Sequence, residues 1–152
     1  MKKTFLLGSL LLFSQCINDH LSRGFDLYNN SGKPISYYMP RVRYISYPDT
    51  TLPLKSPNPY MFNKEWHFSF GDIGYHENDF FEGMETDTIS IFFFDPDTLA
   101  AYDWSIIRNE YKILVRYDLS HSDLRYLEWE IYYPPTEKMK DIKMFPPYES
   151  FN

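Results

Sequence analysis

The chain reads as α+β, mainly β: an antiparallel sheet or sandwich carrying one short helical insertion. Three observations predict this class. Aromatic residues make up 20% of the sequence, and rings pack well on pleated strand surfaces. Short stretches of period-two alternation recur and are punctuated by Pro, Asn, Asp and Gly, the pattern of half-buried strands joined by turns. Helix-entry signals gather mainly at residues 95–111, so the helices form an insertion and not a layer alternating with strands. No segment repeats at a fixed period, which argues against a solenoid or propeller.

The first apolar alternation falls at residues 25–28. Asn29, Asn30, Ser31, Gly32, Lys33 and Pro34 then make a dense turn cluster, and residues 35–39 resume strand composition. Residues 25–39 therefore predict a hairpin with a loop longer than the tightest type. Residues 41–47 set Val42 and Tyr44 against Arg41 and Arg43, a strand with one wet face. Pro48, Pro53, Pro57 and Pro59 follow and predict a loop or an extended edge segment, because proline cannot donate to a ladder. Trp66, Phe68 and Phe70 alternate with His67 and Ser69 as another strand, and the acidic stretch 71–87 is expected to be a surface loop.

Residues 88–94 are apolar on both faces, as in a central strand covered on both sides. Asp95 before Pro96 is a helix entry, since Asp caps free amides and Pro tolerates the first helical position. Asp103 before Trp104 is a second capping point, so residues 96–111 predict two short helical pieces, docked through Leu99, Tyr102, Ile106 and Ile107. A strand is expected at 113–117. Ser120 to Asp123 match a capping box in which Asp replaces Glu or Gln, opening a turn or two that carry Leu124 and Leu127. Trp129, Ile131 and Tyr133 alternate with Glu128, Glu130 and Tyr132 until Pro134 and Pro135 end the strand. The tail from residue 136 onward is expected to lie along the surface.

The N-terminus carries an address. Lys2 and Lys3 precede an apolar run at residues 5–13, broken only by Gly8 and Ser9, and then come Ser14, Gln15 and Cys16. Basic start, short apolar stretch and small-residue exit are the order of a secretory signal. The run is too short for a permanent span, which needs ~20 apolar residues. Phe13, Ser14, Gln15 and Cys16 resemble a lipobox, with Phe13 where Leu is commonest and Gln15 where a small residue is usual. The resemblance implies cleavage before Cys16 and lipidation at Cys16 by acyl chains such as palmitate. Cys16 is the only cysteine, so no disulfide forms within the chain, and an unmodified thiol would gain nothing in an oxidising compartment. The expected organisation is a signal peptide at 1–15, a lipidated tether at 16–24 and a single globular domain at 25–152. The membrane partner is reached through the lipid, in the cell envelope and first of all at the outer membrane.

Cleavage leaves 137 of 152 residues, enough for one domain with a real core. It removes two of the 15 Lys and Arg and none of the 21 acids, for a net charge of −8. Such a surface repels phosphate backbones, which argues against a nucleic-acid partner.

Site signals are thin, and no cofactor is expected. Asp95 and Asp97 are a tempting carboxylate pair for glycoside hydrolysis, yet their place at a helix start already explains them. Glu128 and Glu130 are read as the solvated side of a strand. His67, His76, Glu77 and Asp79 mix imidazole and oxygen ligands, but their spacing matches no zinc signature, and no metal is assigned. Six scattered glycines build no phosphate loop, and no GxSxG nucleophile motif occurs. Trp66, Trp104 and Trp129 are candidate ring surfaces for binding, although each falls on the apolar side of its element and is expected in the core.

The stretch IFFFDPDTLAAYDWSIIRNEYKILVRYDLSHSDLRYLEWEIYYPP at 91–135, with SYPDTTLP at 46–53, resembles a group of small lipoproteins of Bacteroidota that carries no assigned activity. The likeness covers the C-terminal half well and the N-terminal half loosely. It implies export and lipidation and transfers no catalytic residue. The resulting expectation is a noncatalytic envelope module that binds or scaffolds a protein or a glycan. The competing expectation is a small carboxylate- or metal-dependent hydrolase acting on glycans.

Overall fold

In the computed structural model the described residues are 24–40, 47–62, 67–69, 81 and 86–151. Their strands are β1 (Asp26–Asn29), β2 (Ile35–Tyr38), β3 (Tyr60–Phe62), β4 (His67–Ser69), β5 (Thr88–Phe94), β6 (Val115–Ser120), β7 (Glu130–Tyr133) and β8 (Lys143–Phe145). Three short helices accompany them: α1 (Pro96–Ala101), α2 (Trp104–Asn109) and α3 (His121–Tyr126). The class is mainly β with some helix, and α1 and α2 form the predicted insertion between β5 and β6.

The strands build two sheets. The larger, in the order β3-β2-β5-β6-β8, is antiparallel throughout, and the smaller has the order β4-β1-β7. The smaller sheet pairs β1 with β4 antiparallel but with β7 parallel. The expected hairpin at residues 25–39 is not one. β1 already spends both its edges on β4 and β7, so β2 pairs instead with β3 and β5 in the other sheet. The turn cluster is therefore a corner between sheets, closed by a side chain. Asn29, 1% exposed, donates through Nδ2 to the Lys33 carbonyl at 2.7 Å, and its Oδ1 accepts from the Ser31 amide at 3.1 Å. Gly32 supplies the left-handed residue, at φ 70°.

β5 is central as expected, and its alternation sets the layers. Ile89, Ile91 and Phe93 face the smaller sheet, together with Val115, Tyr117 and Leu119 of β6, and meet Phe25, Leu27, Ile131 and Tyr133 in one core. Phe93 stacks on Tyr133 with centroids 5.6 Å apart, and the Tyr117 hydroxyl donates to the Tyr132 carbonyl across the layers at 2.9 Å. Phe92 and Phe94 face the other way, into a second cluster with Leu52, Ile107, Leu99 and Trp104.

The helix entries follow the sequence closely. Asp95 caps α1 by accepting from the Asp97 amide at 2.8 Å. Ser120 and Asp123 form the complete capping box of α3. Asp103 does occupy the N-cap position of α2, but only its backbone carbonyl takes part there and its side chain makes no capping bond.

Other expectations shift. The strand expected at 113–117 runs from Val115 to Ser120. The tail does not merely line the surface, because β8 adds an edge strand to β6 and Met139 and Ile142 are buried in the main core. The docking face of the insertion is Ile107, Leu99 and Trp104, whereas Tyr102 and Ile106 point outward, 45% and 37% exposed. β3 was not legible in the sequence; it follows Pro59 directly and pairs with β2. The strand expected at 41–47 and the acidic loop at 71–87 lie almost wholly outside the described residues, as do the leader and Cys16. No helix among the described residues is long and apolar enough to cross a membrane.

Candidate functional site

The outer face of the larger sheet is roofed by α1, α2 and the proline-rich segment that precedes β3. This segment has few backbone donors, so its carbonyls are tied down by side chains of the opposite layer. Trp104 donates through Nε1 to the Pro53 carbonyl at 2.8 Å, Arg108 through Nε to Leu52 at 3.0 Å, and the Tyr111 hydroxyl to Thr50 at 3.0 Å. Leu52, 2% exposed, plugs the segment into the second cluster beside Phe92 and Phe94. Each such bond adds only ~1 kcal/mol, but three of them along one short stretch fix the course of the loop.

Between this pinned segment and the α1–α2 corner lies an open groove of about 520 Å³, walled by Ser56, Asn58 and Pro59 on one side and by residues of the helical corner, from Leu99 to Ile107, on the other. Its volume falls within the range of roughly 300–1,000 Å³ usual for small-molecule sites. Tyr102 and Trp104 bring rings to it and Asp103 a carboxylate. Both rings have a partner that does not line the groove. Trp104 is fixed by its bond to Pro53 and by Phe94, at 5.9 Å. Lys112 sits 4.7 Å over the ring of Tyr102, and Lys112 is itself anchored to Glu110 at 2.7 Å. Asn58 adopts φ 50°, a left-handed conformation that Asn tolerates better than most residues.

Behind the roof is a polar network that the sequence did not announce. Asp118, 2% exposed, lies on the outer face of β6 between two partners. It accepts from Ser90 Oγ at 2.7 Å and from Arg116 Nε at 3.0 Å, while Arg116 Nη1 donates to the Tyr111 hydroxyl at 2.6 Å. The chain Ser90–Asp118–Arg116–Tyr111–Thr50 thus links β5 and β6 to the proline-rich segment. Every buried side-chain polar atom among the described residues has a partner. The alternation of Arg116 and Asp118 with Val115, Tyr117 and Leu119 looks like an ordinary wet face in sequence, yet the fold buries the Asp118 side chain and leaves only 13% of the Arg116 side chain exposed.

Asp95 and Asp97 remain a helix entry. Glu128 is not on a strand; it stands at φ 58° in the turn after α3 and pairs with Lys138 at 2.9 Å. Glu130 is the first residue of β7 and accepts from the Tyr132 hydroxyl at 2.7 Å, which pushes that phenol up to about 12. Trp129 is buried in the main core and Trp104 is half-buried at the groove. Trp66, His76, Glu77 and Asp79 lie outside the described residues, and His67 is placed only by its backbone in β4. Among the described residues no three His, Cys, Asp or Glu side chains gather as a metal site would require. Compared with known proteins, the chain matches no family model, no curated protein and no solved structure.

Proposed function

We propose that the chain is an exported, lipid-anchored module of the cell envelope that binds a partner without transforming it, with the α1–α2 groove as its binding surface. The observation that carries the reading is that the groove is braced from behind. Three side-chain bonds hold residues 50–53, just upstream of the Ser56–Pro59 wall, and Trp104 is fixed on the other side, while Tyr102, Asp103 and Ile106 stay exposed on the open side. Surfaces whose contact groups are ordered in advance lose less entropy on binding. The acids that tempted a hydrolytic reading have local duties: Asp95 caps α1, Glu128 pairs with Lys138, and Glu130 accepts from Tyr132.

The address rests on the leader and on Cys16. Multiple acyl chains on that residue would hold the domain at a bilayer, each buried methylene adding ~0.8 kcal/mol. The likeness to lipoproteins of Bacteroidota points the same way. Metabolic labelling with a fatty-acid analogue tests it: wild type takes up label and partitions with membranes, whereas Cys16→Ala does neither. Label persisting in the variant would overturn the anchor, and a soluble, unlabelled wild type would overturn tethering altogether.

A further inference from the structure

We infer that the groove between the proline-rich segment and the α1–α2 corner is a binding site for a neutral glycan; this rests on the binding-module reading and names its ligand class. A sugar ring offers two surfaces, an apolar face of C–H groups and an equatorial rim of hydroxyls. A site for it therefore needs a fixed aromatic ring beside acceptors and donors of short reach. Tyr102 and Trp104 supply the rings, and Asp103, Asn58 and Ser56 supply carboxylate, amide and hydroxyl within the same groove.

Two features separate this arrangement from an ordinary patch of surface. Tyr102 is 45% exposed and has Lys112 over one face of its ring, which leaves the opposite face for the C–H surface of a sugar. Asp103 stands where an Asp normally caps a helix, but its side chain makes no capping bond, which leaves its oxygens available to sugar hydroxyls. Charge selects within the class. The groove lining contributes one carboxylate and no Lys or Arg, the Lys112 ammonium on the Tyr102 ring is paired with Glu110, and the whole chain is acidic, at −6. Uronic or sulfated sugars are repelled there and uncharged ones are not.

The test is calorimetric titration of the full lipid-anchored protein, held in a zwitterionic detergent without a sugar headgroup, against neutral gluco-, manno- and xylo-oligosaccharides and against oligogalacturonate. At least one neutral series binds, and oligogalacturonate does not. Tyr102→Ala and Asp103→Ala each weaken binding about tenfold, or ~1.4 kcal/mol, with unchanged circular dichroism. Tyr126→Ala, at a more exposed ring that does not line the groove, binds as wild type. Absence of binding by every neutral series, binding that survives both groove substitutions, or equal binding of oligogalacturonate overturns the inference. Mass analysis of the recovered sugar keeps the two proposals apart. A bound but shortened oligosaccharide upholds the groove as a glycan site and overturns the noncatalytic reading. If no sugar binds but a cross-linker placed at Tyr102 captures an envelope protein, the glycan assignment fails and the binding module stands.

Discussion

The two faces of the five-stranded sheet are held by different physics. The face toward the smaller sheet is closed mainly by area: Ile91, Phe93, Tyr117, Leu119 and Ile131 are almost wholly buried and interlock without charge, with the Tyr117–Tyr132 hydrogen bond crossing between the layers. The face toward the helices is closed by direction. There the apolar contacts of Phe92, Phe94, Leu52 and Ile107 are supplemented by a buried ion pair and by three side chains aimed at loop carbonyls. Burial by area is strong and non-directional, whereas directional bonds place a wall where it must stand. The groove lies on the second layer, which is where a protein that must hold a surface in shape needs such bonds.

The largest effect sharpening this contrast belongs to the first face. Phe93→Ala should cost about 3–5 kcal/mol in denaturant unfolding, because it removes a ring that touches both Tyr117 and Tyr133. The same face should make the protein sensitive to alkali. Burial raises the phenols of Tyr37, Tyr117 and Tyr133. These groups stay neutral in the folded state, so their share of stability is complete below the ordinary phenol value of ~10 and drains away above it. Thermal melts at rising pH should fall beyond that point, and a flat profile to higher pH would contradict the burial of these rings.

On the second face, Asp118→Ala should cost about 3 kcal/mol by leaving Arg116 in a largely buried site without its carboxylate. Replacing both partners with apolar residues of similar size, as in Asp118→Leu with Arg116→Met, should recover much of that loss. If the double variant is no better than the single one, packing and not charge holds this face. Trp104→Phe should cost about 1 kcal/mol, the net worth of one hydrogen bond, while protease cleavage in the proline-rich segment rises. The smallest contrast is between two aspartates at helix starts. Asp95→Ala should lose ~1 kcal/mol of stability, whereas Asp103→Ala, whose side chain makes no capping bond, should leave the melting temperature unchanged.

Elements with a local cause are legible in the sequence. β5 shows its own limits because two apolar faces leave few alternatives, and the helix starts at Asp95 and Ser120 show because their caps are made within three residues. The failures share the opposite property. The false hairpin arose because nothing local reveals that β1 is flanked on both sides by strands far along the chain. β3 was missed because a three-residue strand hemmed by prolines has no periodicity to show. The groove was half visible: its rings and Asp103 were noticed as residues, but Tyr102 was expected to face the core.

The sequence by itself determined a β-dominated class, the central strand, the placement of the helical insertion and the caps that begin α1 and α3, since each is a property of neighbouring residues. Tertiary structure alone decided which strands pair, that Arg116 and Asp118 are largely buried, and that Tyr102 turns outward while Ile107 turns in. Those outcomes depend on what lies across the layer, which a linear pattern does not contain: a polar alternation looks the same whether water or other side chains cover it.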